Sequence, residues 1–411
     1  MAKILIMCEL DPRSDPRPNR MINWLKKRHD LTVISGGKGE IDNITSIYLH
    51  LDRSSEISKR YFFGRSFKLN AENFIVRILK FFIRINLFID RFLDDLIFKY
   101  ELKRGIFPLT VKRRLKYLNF KELEGKKWDL IITHDLSLLP LAIKLKQNWT
   151  KVFFDAREFY PRQTEDQLWF IQLIQPLNNY LLKKYIHDCD LVFTVSESLV
   201  NAYNNQYGIQ TKLLLSLPTF YQLHPIQVSD NRIRMIYHGI ANPSRRIDNL
   251  IQIMDYLDER FFLDLMILPV GSKYYYYLQE MVNIRQNVRI IHPVQYDDII
   301  PFTNQYDIGI LFFQPTNFNL KYSLANKFFE YIMARLCLAC SPNIEYKRFI
   351  MKYKCGILSD DYDLRSMAKA LNALKSSDVY KFKERSDLAA KELNENQNMN
   401  RINEIIDNFI S

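Results

Sequence analysis

Short, unbroken apolar runs recur along the chain, separated by stretches with helical spacing. Lys3 to Cys8, Leu31 to Gly37, Trp128 to Thr133, Lys151 to Asp155 and Asp190 to Ser196 form a first series. Runs without polar alternation are strands covered on both faces, as in a parallel sheet between helices. The pattern restarts after residue 225 with Arg232 to Gly239, Leu263 to Gly271, Val288 to Ile291, Ile308 to Phe312 and Cys337 to Cys340. Two successive β/α series predict an α/β protein of two Rossmann-like, doubly wound parallel-sheet domains. The expected boundaries are 1–220 and 226–386, with a helical tail at 387–411. Ser216 to Asp230, carrying Pro218 and Pro225, reads as the linker.

Composition narrows the classes. Hydrophobic residues make up 47% and charged residues 25% of 411 positions, which excludes a disordered chain. Met1 to Met7 is too short for a signal peptide and reads as the first strand. Cys8, Cys189, Cys337, Cys340 and Cys355 form no even framework, so buried thiols in a reducing compartment are expected. Cys337 and Cys340 are spaced C-x-x-C but lack the second pair a zinc site needs.

The net charge of +12 is uneven, because residues 51–127 hold 19 basic against 9 acidic residues. This stretch, about 61–127, interrupts the β/α pattern. Ala71 to Lys103 predicts one or two long helices on which Arg77, Lys80, Arg84 and Arg91 share a face. Lys112, Arg113 and Arg114 follow. A cationic stripe on a broadly apolar helix suits an anionic membrane surface. The alternative is a helix packed internally with one wet face. No uncharged run is long enough to span a bilayer, and no nucleic-acid-binding module is recognisable.

Several motifs together resemble the GT-B glycosyltransferases, in particular a bacterial surface-polysaccharide branch of glycosyltransferase family four. Tyr322 to Ala334 (YSLANKFFEYIMA) is similar to its "S-x-P-N-K-x-F-E-Y-x-A" stretch, and Tyr237 to Leu250 resembles its "Y-x-G…R-G" loop. Asp15-Pro16-Arg17, His134-Asp135 with Pro140, Phe154 to Pro161 and Asp190 to Glu197 match further segments in order. The resemblance departs at Arg335 and Arg246, where glycine is usual, at Tyr322, where glutamate is common, and at Arg157, where histidine is common.

The resemblance implies a metal-independent, cofactor-free transferase that moves a sugar from a nucleotide-sugar donor, UDP-sugars being commonest, with retention of anomeric configuration. Negative charge builds on the leaving diphosphate, so cations must wait there. Arg245 and Lys327 are the candidates, against readings as a loop cation and a surface lysine. Glu330 matches the residue that accepts from the ribose hydroxyls; the alternative is a Lys327–Glu330 helix pair. Gly239 and Asn326 complete the donor side, Asn326 as a donor contact or a helix cap. His134 and Arg157 are expected at the reacting centre, with Asp15, Arg17, Asp135, Asp155 and Glu158 on the acceptor side. Arg157 cannot accept a hydrogen bond but can hold a carboxylate or phosphate, or pair internally with Glu158 or Asp155. The implied acceptor is a lipid-linked glycan, at the inner face of the cell membrane. The departures keep open a non-catalytic sugar-nucleotide or glycan-binding subunit. The resemblance also implies a C-terminal helix that crosses back onto the first domain.

Overall fold

The computed structural model describes residues 1–37, 41, 44–48, 74–118, 123, 125–269, 273–322 and 324–410, with backbone alone for 74–88, 117 and 410. Residues 61–73 of the interrupting segment, and the side chains of Arg77, Lys80 and Arg84, lie outside the described part.

Seven strands form the first sheet: β1 (Lys3–Cys8), β2 (Asp30–Ser35), β3 (Thr45–Tyr48), β4 (Leu130–Thr133), β5 (Lys151–Ala156), β6 (Leu191–Thr194) and β7 (Thr211–Leu213). Six form the second: β8 (Ile233–Ile240), β9 (Phe261–Leu268), β10 (Val288–Ile291), β11 (Ile308–Leu311), β12 (Cys337–Cys340) and β13 (Gly356–Leu358). The orders are β3-β2-β1-β4-β5-β6-β7 and β10-β9-β8-β11-β12-β13. Every pairing between these strands is parallel. In each sheet the chain reverses its winding direction once, between β1 and β4 and between β8 and β11. Ligand crevices of such sheets open at the carboxyl ends of the strands at that switch point.

Both faces of each sheet are buried, which is why the strands read as continuous apolar runs. In β1, Ile4, Ile6 and Cys8 enter one core while Leu5 and Met7 enter the other. The C-terminal helix Glu395–Ile410 completes the first of these cores with Met399, Ile402 and Ile406. It reaches that position alongside the linker: the Glu395 amide donates to Pro218 O at 2.8 Å, and Asn398 Nδ2 donates to Leu215 O. The five cysteines are free, four of them buried. Cys337 and Cys340 belong to opposite cores of the second domain. On a strand, positions three apart point to opposite faces, so the C-x-x-C pair cannot share a ligand.

The interrupting segment contains one helix of 31 residues, Phe74–Arg104. Gly105 turns it back at φ +66° into a second helix, Pro108–Tyr117. Glu101 is buried and accepts from the Leu109 and Thr110 amides at 2.6 and 2.8 Å. A carboxylate at the exposed amides of a helix start is favourable, and here it locks the hairpin. Among the described residues no helix is long and apolar enough to cross a membrane.

Candidate functional site

At the carboxyl end of β8, Gly239 has φ +148°. A Cβ there would lie 2.8 Å from Lys327 Cε and 3.0 Å from Nζ. Glycine therefore lets the lysine stem cross the strand end. Lys327 stands in the first turn of the helix Asn326–Met333, its ammonium 5.5 Å from the Tyr237 ring centroid. Arg245 closes a short turn, Pro243–Arg245, with its guanidinium 5.6 Å from the Phe313 ring centroid. Neither cation has a carboxylate or hydrogen-bonding partner among the described residues. Burial, reinforced by the charge of Arg245 and only partly offset by Glu330, pushes the Lys327 pKa down to about 8. The charge of Arg245 disfavours the Lys327 ammonium, a repulsion that a bound anion would relieve.

Glu330 lies one turn beyond Lys327 and is 5% exposed. Burial opposes its ionisation, but His238, Lys327 and Arg20 outweigh burial and hold its pKa below the ordinary value. His238 Nε2 is 3.3 Å from one carboxylate oxygen, and the Tyr296 hydroxyl donates to the other at 3.4 Å. Burial lowers the His238 pKa, with Glu330 pulling the other way. Lys327 and Glu330 make no ion pair; each faces the crevice separately. Asn326 does not cap the helix: Ala325 occupies the cap position and makes no side-chain cap bond.

A cavity of about 870 Å³ lies along β10 and the helix Lys273–Asn283. Its walls include Leu268 at the end of β9, Pro269, Tyr275, and Pro293, Val294 and Gln295 after β10, but none of Gly239, Arg245, Lys327 or Glu330.

The first domain contributes two charge networks at its own strand ends. His134, fully buried after β4, places Nδ1 2.9 Å from Asp155 Oδ2. Asp155, at the end of β5, also accepts a two-pronged pair from Arg17 at 2.7 and 2.6 Å. Burial opposes its charge, but Arg17 and His134 overcome burial and hold it well below the usual carboxylate range. Arg17 further donates to Leu214 O at 2.8 Å. In the second network Arg157 pairs with Asp15 and, at 2.7 Å, with Asp135. These partners come from the first loop and the end of β4, rather than from Glu158 or Asp155. Arg157 is thus already committed to two internal carboxylates. Burial pushes the Glu158 carboxyl up, against the charges of Arg157 and Arg245.

The domains meet beside this crevice. Ser196 Oγ donates to Tyr322 O at 2.6 Å, and the Phe159 amide to Asn319 Oδ1 at 2.9 Å. Arg20 of the first domain donates to the Tyr296 hydroxyl at 3.2 Å and to Ser216 Oγ at 2.9 Å. Sequence reasoning missed His238, Tyr296 and Arg20. His238 had a visible signal, a histidine at a strand end directly before Gly239. Arg20 and Tyr296 had none, because their contact exists only once the domains dock.

The cationic positions of the interrupting segment are placed as follows. Arg113 pairs with Asp94 and lies 3.6 Å from Asp90. Arg114 sits near Glu9; burial lowers its pKa while Glu9 and Asp94 counteract. Lys112 is exposed, and Arg91 is half-buried.

The two arginines that replace glycine keep glycine-like backbones, Arg246 at φ +44° and Arg335 at φ +61°. Arg335 is buried, donates to Asp387 Oδ1 and Tyr221 O at 2.9 Å each, and lies over Phe220. It ties the linker to the helix that bears Lys327 and Glu330.

No protein-family model and no curated protein matches the sequence. Solved structures do match over the whole length. Sucrose-phosphate synthase from Thermosynechococcus elongatus aligns with TM-score 0.67 and 11% identity over 98% of both chains. WaaG, a glycosyltransferase involved in lipopolysaccharide biosynthesis, gives 0.58 and 11% over 98% of this chain and 99% of its own. The E. coli trehalose-6-phosphate structure bound with UDP-2-fluoro glucose gives 0.60 and 11%, also over 98% and 99%. The chain has the GT-B fold. At such identities the likeness is one of architecture alone.

Proposed function

We propose that the protein is a retaining glycosyltransferase that moves a sugar from a nucleotide-sugar donor to a lipid-linked glycan, in bacterial surface-polysaccharide synthesis. The observation that carries this reading is the unpartnered pair Lys327 and Arg245 beside the buried carboxylate of Glu330. A diphosphate fits between the cations, and the vicinal hydroxyls of a ribose fit Glu330, which can accept from both. A neighbour of the same fold holds a UDP-sugar, which makes UDP the first base to test.

In the reaction the bond from the anomeric carbon to the diphosphate oxygen breaks, and its electron pair stays on the phosphate. Lys327 and Arg245 stabilise that charge where it develops, in place of a divalent metal. His134 and Arg157 face the acceptor side. No side chain is assigned as a covalent nucleophile, so the acceptor hydroxyl attacks from the leaving-group face and its proton passes to the departing phosphate. The basic hairpin suits a peripheral position on the inner face of the cell membrane, where a lipid-linked acceptor is presented.

The test is thermal stabilisation by UDP, GDP, ADP and CMP, for wild type and Glu330→Ala, followed by nucleotide release from the matching sugar donor. Binding raises the melting temperature in proportion to ligand excess over its dissociation constant. A shift for one nucleotide, lost in the variant, supports the donor assignment. Affinity without turnover would instead make the chain a non-catalytic binding subunit, and no shift with any nucleotide would overturn the reading.

A further inference from the structure

The helix Phe74–Arg104 is turned inside out over its described side chains. Ile89, Phe92, Leu93, Leu96 and Tyr100 are each between 41% and 55% exposed. At 3.6 residues per turn these five fall within an arc of about 100°. Phe98, which is buried against Phe107 at 5.6 Å between ring centroids, stands opposite that arc. The acidic residues Asp90, Asp94 and Glu101 point away from it: Asp90 and Asp94 meet Arg113 of the second helix, and Glu101 is buried at that helix's start. A helix resting in water on its own domain shows the reverse pattern. At the turn of the hairpin, Ile106 and Leu109 are exposed as well.

Charge indicates what covers this surface. The four acidic residues of 89–117 are all engaged: Asp95 pairs with Lys99 at 2.7 Å, Asp90 and Asp94 with Arg113, and Glu101 with backbone amides. Lys103, Arg104, Lys112 and Lys116 have no acidic partner among the described residues and are exposed. Arg104 instead receives the Tyr100 ring and hydroxyl. The surface is therefore an apolar ridge about 16 Å long (11 steps of 1.5 Å) with uncompensated cations at its end. A protein partner would need matching carboxylates around a matching groove. An anionic bilayer supplies both an acyl layer and phosphates without any matched shape.

We infer that the exposed ridge of this hairpin docks the protein on an anionic lipid surface. Phe92, Leu96 and Tyr100 enter the headgroup–acyl boundary, while Lys103, Arg104, Lys112 and Lys116 meet lipid phosphates. This rests on the membrane-surface part of the proposed function and names the side chains that perform it.

The experiment is flotation of the full-length protein with phosphatidylcholine vesicles and with phosphatidylcholine–phosphatidylglycerol vesicles, alongside the nucleotide thermal shift without lipid. Wild type is expected to float with anionic vesicles only. The exposed double variant Phe92→Ser/Leu96→Ser should lose flotation. Lys112→Glu/Lys116→Glu should weaken it about fivefold or more per charge, and more at low salt. Both should keep the wild-type melting temperature and nucleotide response. Wild type ignoring anionic vesicles, or the serine variant floating like wild type, overturns the inference. So does a wild-type dimer that the serine variant breaks without any lipid binding. A lost nucleotide shift with flotation intact would count against the transferase reading alone.

Discussion

Gly239→Ala tests the donor-side geometry through a single methyl group. The added Cβ would sit 2.8 Å from Lys327 Cε and 3.0 Å from Nζ, against an ordinary carbon contact of about 3.5–4.0 Å. The obstructing atoms are the far end of a flexible side chain, so the lysine moves by roughly 1 Å and the fold survives. The φ of +148° adds backbone strain, about 1–3 kcal/mol for a non-glycine residue. A displaced ammonium forfeits a charge-assisted bond to phosphate, about 1.5–3 kcal/mol. Nucleoside diphosphate binding should therefore weaken about 10- to 150-fold. Calorimetric titration of wild type, Gly239→Ala, Lys327→Ala and the double variant separates the causes. If Gly239 acts by clearing a path for Lys327, the double variant binds no worse than Lys327→Ala alone. Losses that add, or a Gly239→Ala protein that binds like wild type, would refute the argument.

Lys327 sets a pH limit. Its pKa of about 8 means the ammonium is lost above that pH, so nucleotide affinity should fall between pH 8 and 9.5, and Lys327→Arg should flatten the profile; a flat wild-type profile refutes this. The unliganded fold responds in the opposite sense, because the unfolded chain binds this proton more tightly and stability rises as pH climbs from 8 toward the ordinary lysine value. Asp155→Asn leaves the buried Arg17 without a counter-charge, facing only neutral acceptors, and should cost about 3–5 kcal/mol in urea unfolding; a loss below about 1 kcal/mol would sink the assignment. In the wild type the depressed Asp155 pKa gives stability that is present above the ordinary aspartate value and lost as pH falls further. Arg335→Gly gains about 1 kcal/mol from its φ but removes the clamp on Tyr221 and leaves Asp387 with Lys391 alone, so a net fall in melting temperature is expected. A rise would mean that the clamp contributes nothing.

The ten strands that read as apolar runs are those with both faces covered, or, for the edge strand β10, one whose four residues still include three aliphatics. β3, β7 and β13 were not visible, since Thr-Lys-Leu or Gly-Ile-Leu at a sheet edge carries too few buried positions to make a pattern. The grouping of Lys327, Glu330, Gly239 and Arg245 was legible because its parts are local: Lys327 and Glu330 share one helix, and Gly239 and Arg245 share one strand-to-helix turn. The acceptor side was legible only as residue types. That Arg17 would choose Asp155, and Arg157 would choose Asp15 and Asp135, depends on the β1-β4-β5 strand order, which composition does not encode. The arginines at 246 and 335 show the same limit from the other side. Each breaks the glycine pattern, yet each keeps the left-handed backbone, and Arg335 turns the exception into a tie between linker and site. A motif loss in sequence is thus not a loss of geometry when a partner such as Asp387 holds the substitute in place. Charge on a helix is just as ambiguous. The basic residues of the hairpin predicted a surface, but Arg113 was needed inside by Asp90 and Asp94. With Asp90 and Asp94 turned toward Arg113, aromatic and aliphatic side chains of the same helix are left facing out beside exposed lysines.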